Sequence, residues 1–174
     1  MNRIVSKRFF SENVAEIVVE APLIARSRKA GHFVIVRVDK NSERMPLTIS
    51  DADIENGTIT LVVQRIGVSS SKLCALEAGD TIADLVGPLG KATDIRKFST
   101  VVCACGGVGA APMLPIAQAL KAAGNRVITV LAARNKDSFL SFSHRRAIIK
   151  TPTWVDMPFR YMPYKLFKLI KKMV

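Results

Sequence analysis

The chain has 174 residues, of which 49% are hydrophobic and 6% aromatic, and its formal net charge is +12. This length suits one ordinary domain or two small ones, and the composition is that of a globular protein. No apolar run approaches the roughly 20 residues that a membrane-spanning helix needs, and the N-terminus lacks the apolar core of a signal peptide. We therefore predict a cytoplasmic protein without a membrane partner, whose three cysteines are reduced thiols.

The positive charge is concentrated at the C-terminal end. Residues 138–174 hold eight Lys or Arg against one acid, which accounts for +7 of the total. No nucleic-acid motif occurs, and few aromatic residues alternate with basic ones before this segment, so no nucleic-acid partner is predicted. Residues 164–173 are compatible with a short basic amphipathic helix at a membrane surface. We favour the alternative, a packing or unstructured end.

The first 98 residues contain short alternating apolar runs with turn residues between them, which is typical of antiparallel strands in a small barrel or sandwich. One short helix is predicted at residues 69–77, where serines suit the N-cap and leave free amides at the helix start. The predicted strands cover residues 4–10, 14–20, 32–39, 46–51, 58–65 and 80–86. The fold prediction is therefore a six-stranded antiparallel β barrel followed by a unit of a different kind.

That second unit has the pattern of a parallel strand, helix and strand. An apolar run at residues 101–105 ends at a glycine turn, a helix with Pro112 in its first turn follows, and a second apolar run occupies residues 127–132. The turn consists of Gly106, Gly107, Val108 and Gly109. Glycines let a diphosphate approach the backbone closely, and a helix N-terminus favours an anion. The pattern predicts nucleotide binding, with a purely structural tight turn as the alternative.

The residue after the second strand bears on which dinucleotide is bound. No acidic residue stands there to hold a ribose 2′-hydroxyl, and Arg134 occupies the position instead. An arginine suits a 2′-phosphate and therefore NADP rather than NAD, and a solvated strand-end arginine is an equal alternative. Two strands and one helix cannot bury both faces of a parallel sheet. The α/β nucleotide-binding domain is therefore predicted to be incomplete.

Four segments occur in an order that resembles the ferredoxin NADP reductase superfamily. They are RMPLTISDAD at residues 44–53, LVVQRIGVSS at 61–70, GPLG at 87–90 and CGGVGAAPMLPIAQAL at 105–120. They are most similar to the alpha subunit of the bacterial electron-bifurcating reductase and to the electron-transfer subunit of dihydroorotate dehydrogenase. The resemblance implies an FAD-binding barrel at residues 1–98 and a partial NADP-binding α/β unit at 99–137. Residues 138–174 are a divergent basic tail.

The resemblance also implies the site residues. In the family FAD lies across the barrel, and the matching residues here are Pro46, Leu47 and Thr48. Thr48 is the residue expected to act in catalysis, through a hydrogen bond to the flavin atom that accepts hydride. Arg44 would neutralise the diphosphate, although in the superfamily the arginine directly precedes the proline, where this chain has Met45. An exposed turn arginine is the alternative. The other implied cofactor-binding residues are Gly67, Val68, Ser69 and Ser70 for FAD, and Gly106, Gly107, Gly109, Ala110, Pro112 and Arg134 for NADP(H).

The implied function is that of an FAD-binding oxidoreductase subunit. It would pass electrons between NADP(H) and either ferredoxin or the iron–sulfur centres of a larger partner subunit in a heterodimer. The alternative is a noncatalytic truncated fragment that keeps only flavin binding. The two-iron cluster of the subfamily uses cysteines near the C-terminus, and because no cysteine follows Cys105, neither that cluster nor any other metal site is predicted. The change of composition near residue 138 suggests that the tail is read from another frame or is the end of a truncated gene.

Overall fold

The structure is a computed structural model that describes residues 2–132 and 153–154. Arg134 lies outside the described residues, and so does the helix considered at residues 164–173. The elements in chain order are β1 (Asn2–Ser11), β2 (Val14–Glu20), α1 (Pro22–Ser27), β3 (Phe33–Arg37), β4 (Met45–Asp53), β5 (Thr58–Gln64), α2 (Val68–Ala75), β6 (Thr81–Ile82), β7 (Asp84–Leu89), β8 (Thr100–Gly106), α3 (Ala110–Ala122), β9 (Arg126–Ala132) and β10 (Thr153–Trp154). A 3-10 turn at Gly107–Gly109 joins β8 to α3.

Seven strands form a nearly closed antiparallel barrel, in the order β6-β1-β2-β5-β4-β3-β7. The prediction of a barrel is confirmed, but the prediction of six strands is wrong by one. The single strand expected at residues 80–86 is broken at Ala83, whose amide donates to the Val38 carbonyl at 3.1 Å. The break occurs because β6 pairs with β1 at one edge of the sheet, whereas β7 pairs with β3 at the other. This short segment therefore nearly closes the barrel.

The barrel encloses the main apolar core. Alternate residues of the strands point inward, so that Ile17, Val34 and Leu61 are each 0% exposed. Helices α1 and α2 add Ile24 and Leu73 to the same core. Helix α2 confirms the helix predicted at residues 69–77, whereas α1 was not predicted. Its six residues are too few to show a helical apolar period.

The α/β unit is a three-stranded sheet in the order β10-β9-β8, and the described pairs are parallel. Helix α3 connects β8 to β9 as predicted, with Pro112 in its first turn. The expectation of two strands is corrected by β10, which comes from the segment predicted to be a divergent tail. The buried cluster of this unit consists of Cys103, Ala117 and Leu120. As far as the structure describes this unit, its cluster is much smaller than the barrel core.

Helix α3 also lies against strand β4 of the barrel, and the 3-10 turn before it lies against β5. Its buried residues are Ala111, Leu114, Pro115, Ala117 and Leu120. A helix that packs on two surfaces needs a wider apolar face than one that covers a sheet alone. The glycine turn is therefore placed beside the barrel by the helix that follows it.

The connection between the barrel and the α/β unit is fixed by Asn125, which is 6% exposed. Its Nδ2 donates to the carbonyls of Arg96 at 2.9 Å and Leu120 at 2.8 Å, and its Oδ1 accepts from the amide of Phe98 at 2.6 Å. One side chain thus joins the connecting segment to the end of α3. Within the described ranges, no helix has both the length and the apolar character needed to cross a membrane.

Candidate functional site

The outer face of strands β3 and β4 is an apolar surface open to solvent. In their register Phe33 is opposite Thr48, and Ile35 is opposite Pro46. Because Val34 points into the core at 0% exposure, its neighbours Phe33 and Ile35 point outward, and so do their partners on β4. Pro46 is exposed and the other three are partly buried. The surface can therefore accept a flat ligand without rearrangement of the core.

Two of the three β4 residues predicted to bind flavin lie on this outer face. Pro46 and Thr48 share it, whereas Leu47 packs against the barrel core. Strand β4 pairs with β3 as far as Thr48 and with β5 from Ile49 onward. Thr48 therefore lies at the point where β4 passes from one neighbour to the other, at the edge of the apolar surface.

Arg44 lies just before β4, at the opposite end of the same surface, and is 60% exposed. Its Nη2 atom lies 3.2 Å from Oδ2 of Asp84. The same oxygen lies 2.7 Å from Nη2 of Arg37. Arg37 and Asp84 are directly opposite each other in the pairing of β3 with β7. The arginine predicted from sequence is thus one of two that share a carboxylate.

The start of helix α2 forms a second polar feature. Ser70 Oγ accepts from the amides of Ile66 and Gly67, each at 3.0 Å. The N-cap is Gly67, so the expectation of a serine at the N-cap is wrong, and Ser70 instead reaches back to the N-cap amide from the third helical position. The amides of Val68, Ser69 and Ser70 begin the helix and have no acceptor within it. A Cβ added to Gly67 would meet no atom within 4 Å. The amides of Val68, Ser69 and Ser70 therefore form an open cradle of backbone donors, whereas the Gly67 amide is bonded to Ser70.

Lys72, in the last turn of α2, joins this helix to the loop between β3 and β4. Its Nζ donates to Asp39 Oδ2 at 3.1 Å and to Ser42 Oγ at 3.4 Å. The Lys72 ammonium, followed by the Ser42 hydroxyl and the Asn41 amide, lowers the pKa of Asp39 from its ordinary value. Strands β3 and β5 both run antiparallel to β4, so the end of β5, from which the chain enters α2, and the start of β4, next to Arg44, lie at the same end of the barrel.

The glycine turn has the geometry expected of a backbone that approaches a ligand. Gly107 has φ +52°, a conformation that favours glycine. Gly109 has φ −60°, which any residue adopts, and a Cβ at either position would meet no atom within 4 Å. Nothing within the described fold requires glycine at position 109. The space beside it is open, phosphate binding there stays a prediction, and Ala110 and Pro112 continue the turn into α3.

Of the two cysteines of β8, Cys103 is buried and Cys105 is partly buried. Cys103 belongs to the buried cluster. Burial, and then the neighbouring Cys103 thiol, raises the pKa of Cys105 to about 11, so this thiol is protonated at neutral pH and is a poor metal ligand. No group of three potential metal-binding side chains occurs among the described residues.

The His32 side chain takes part in a local hydrogen bond. Its Nδ1 accepts from the Lys29 amide at 3.1 Å.

Arg37 and Asp84 were not identified from the sequence. A usable signal existed, because Phe33, Ile35 and Arg37 alternate along one strand and must share a face. The pairing of β7 with β3 could not be anticipated, since residues 80–86 were expected to form a single strand.

No family model matches the chain. It is 41% identical over 137 residues to the dihydroorotate dehydrogenase B (NAD(+)) electron transfer subunit homolog of Thermotoga maritima, an alignment that covers 79% of this chain and 49% of that protein. It is 31% identical over 143 residues to the dihydroorotate dehydrogenase B (NAD(+)) electron transfer subunit of Streptococcus pneumoniae serotype 4, covering 79% of this chain and 56% of that protein. The chain thus spans about half the length of these curated relatives.

Solved structures agree with the sequence comparison. A chain of the NADH-dependent reduced ferredoxin-NADP oxidoreductase, studied for flavin-based electron bifurcation, has a TM-score of 0.78 and 40% identity. The match covers 79% of this chain and 50% of that one. Phthalate dioxygenase reductase has a TM-score of 0.66 at 23% identity, covering 79% of this chain and 44% of that one, which shows a shared fold.

Proposed function

We propose that this chain, which is a homologue of the electron-transfer subunits of dihydroorotate dehydrogenase B and of the bifurcating ferredoxin-NADP oxidoreductase, binds FAD on its barrel and accepts reducing equivalents from a nicotinamide dinucleotide. The electrons then pass to ferredoxin or to the iron–sulfur centres of a partner subunit. The proposal includes a cytoplasmic location and the division at residues 98 and 137.

The observation that carries the proposal is the position of the glycine turn. Helix α3 lies against β4, the strand that bears Thr48, and the 3-10 turn of Gly107 and Gly109 lies against β5. Strand β5 in turn leads into the open start of α2. Three features that are separate in sequence, namely the outer face of β4, the backbone donors of α2 and the glycine turn, thus belong to neighbouring elements. This arrangement suits two nucleotides that must meet.

The residues of the barrel surface fit FAD in their chemistry. Ile35 and Pro46 provide apolar contact for a flat ring, and the Thr48 hydroxyl is a hydrogen-bond donor at the edge of that contact. Arg44 lies four residues before Thr48, about 13 Å along an extended strand, so the cation and the hydroxyl are at opposite ends of an elongated site. Arg44 and the amides of α2 would bind the diphosphate. When bound, the flavin supplies the hydride-accepting chemistry.

The α/β unit would bind the second nucleotide. Gly107 and Gly109 let a diphosphate approach the backbone, and the first amides of the helical segment would donate to it. Arg134, the residue that would favour NADP over NAD, lies outside the described residues. The choice between NADP and NAD therefore has to be made by comparing the two dinucleotides as reductants.

The test is to reconstitute the full chain with FAD under anaerobic conditions and to add NADPH or NADH while recording the visible spectrum. The proposal predicts bleaching of the flavin absorbance by at least one dinucleotide, and the faster of the two identifies the dinucleotide that the site prefers. Bound flavin that neither dinucleotide reduces would contradict the proposed activity and would leave the alternative, a noncatalytic chain that only binds flavin. The three strands of the described sheet, fewer than the five or six usual in doubly wound domains, are the observation that favours this alternative.

A further inference from the structure

A cluster of three charged side chains lies at one end of the outer face described above. Two guanidinium groups, from Arg37 and Arg44, approach the same oxygen of Asp84, at 2.7 and 3.2 Å. With one carboxylate between two arginines, the cluster carries a net charge of +1. Arg37 shares the outer face with Ile35, and Asp84 shares it with Val86, because each pair alternates along its strand. The cluster therefore belongs to the apolar surface proposed to hold the flavin.

The two arginines differ in how tightly they are held. Arg37 is 27% exposed and forms the shorter contact with Asp84, and its Nε is a buried donor with no acceptor among the described residues. Arg44 is 60% exposed and forms the longer contact. A half-exposed pair of this length is worth little in water, so Arg44 can leave Asp84 at small cost, whereas Arg37 is fixed beside it.

The backbone donors of α2 approach the same end of the barrel. Lys72 joins this helix to Asp39 and Ser42, in the loop that leads to Arg44. A helix N-terminus and a net positive cluster both favour an anion. Asp84 opposes it, because an unneutralised carboxylate would repel a diphosphate and would retain Arg44.

We infer that Arg37 is a positioning residue for this anion site, which neutralises Asp84 and thereby leaves Arg44 free to bind the diphosphate of a flavin dinucleotide. The inference rests on the proposed flavin site and deepens it. Arg37 acts through Asp84 rather than through contact with the ligand. The loss of FAD affinity on removing Arg37 should therefore be reversed by also removing the Asp84 carboxylate.

The experiment is a titration of the full chain with FAD and, separately, with riboflavin, followed by flavin fluorescence. In Arg37→Gln the cluster loses its net charge and Asp84 retains Arg44, so FAD affinity should fall about tenfold. Riboflavin has no phosphate, and its affinity should stay within about twofold of the wild-type value. The double variant Arg37→Gln with Asp84→Asn restores a net charge of +1, and its FAD affinity should return to within about threefold of wild type.

A matched control is Arg3→Gln, which makes the same exchange in the exposed Arg3–Glu20 pair of β1 and β2 and should change neither affinity. The inference is overturned if Arg37→Gln binds FAD as wild type does, or if it weakens FAD and riboflavin equally, which would indicate a structural role. It is also overturned if the double variant does not recover, because Arg37 would then contact the diphosphate itself. If Arg37→Gln does not fold, the double variant, which lacks the Asp84 carboxylate, must still bind FAD within about threefold of wild type.

The same titrations separate this inference from the proposed function. Wild-type chain that binds no FAD would contradict both. Wild-type chain that binds FAD, together with any of the three contrary results, would contradict the role of Arg37 alone.

Discussion

The barrel and the α/β unit bury their apolar residues in different ways. The barrel surrounds a core of seventeen buried residues, contributed by its strands and by both of its helices. Among the described residues, the α/β unit has a cluster of three, and α3 lies against β4 of the barrel as well as against β8 and β9. The barrel therefore closes its own core, whereas the described part of the α/β unit also packs on the barrel surface.

This difference bears on the proposed function. The features proposed to hold flavin belong to the barrel and depend on a core that is already closed. The glycine turn is placed by α3, which depends on contact with the barrel. We therefore expect changes in the barrel core to affect both units, and changes in the α/β unit to leave flavin binding intact.

The largest effect on stability is expected from a substitution in the barrel core. Leu61 is 0% exposed, and Leu61→Ala should lower the free energy of unfolding by about 3 kcal/mol, since it leaves a cavity that the strands cannot close. Because the α/β unit packs on the barrel, both should lose structure in one transition, which chemical denaturation followed by circular dichroism measures. Val5→Ala, at a residue 44% exposed, is the control. A loss below about 1 kcal/mol would mean that the barrel core is less closed than described.

A smaller loss of stability, confined to the α/β unit, is expected from Asn125→Ala. It leaves the carbonyls of Arg96 and Leu120 without their side-chain donor, at a cost of about 2 kcal/mol. Trypsin should then cleave faster after Arg96 or Lys97, and FAD content should not change. Asn56→Ala removes an exposed amide bonded to Asp53 at 2.7 Å and serves as the control. Loss of FAD together with faster cleavage would show that the two units do not separate as described.

The glycine turn offers a pair of variants that differ in stability but agree in function. Gly107→Ala places a side chain at φ +52° and should cost about 1 kcal/mol, whereas Gly109→Ala at φ −60° should cost none. Both add a Cβ to the space proposed for the diphosphate, so both should raise the KM for the nicotinamide dinucleotide. Thermal unfolding and steady-state kinetics test the two parts. Normal kinetics in Gly109→Ala would place the dinucleotide elsewhere.

The smallest expected effect is a decrease in stability at alkaline pH. The pKa of Cys105 is raised from 9.0 to about 11, chiefly by burial. The folded protein therefore keeps a proton that the unfolded chain loses, so stability is complete below pH 9 and declines as pH rises toward 11. The thermal midpoint of wild type should fall more steeply over this range than that of Cys105→Ser. Equal slopes would mean that the thiol is not buried as described.

Much of the barrel could be predicted from the sequence, because one buried face imposes a strict alternation on each strand. In β3 buried and partly buried residues alternate from Phe33 to Arg37, and residues 14–20 and 58–65 form strands with nearly the predicted ends. The break at Ala83 could not be predicted, since it depends on which edge strands the two halves meet. The same limit applies to Asp84, whose partner Arg37 lies far away in sequence and becomes its neighbour only when β7 pairs with β3.

Individual residues of the candidate site could be predicted from the sequence, but the contacts that bring its elements together could not. Gly107 was identified because a glycine turn between a strand and a helix leaves a local signal, whereas Ser70 was implied by the resemblance. The inward side chain of Leu47 follows from register, and the contact of α3 with β4 follows from packing between two units. Neither leaves a local signal in the sequence.

The most direct test of the central claim, that the barrel holds a flavin dinucleotide, is the flavin content of the purified full chain after incubation with FAD and gel filtration. The arrangement of Thr48, Arg44 and the α2 amides predicts one FAD retained per chain. A colourless protein with no retained FAD would contradict the claim.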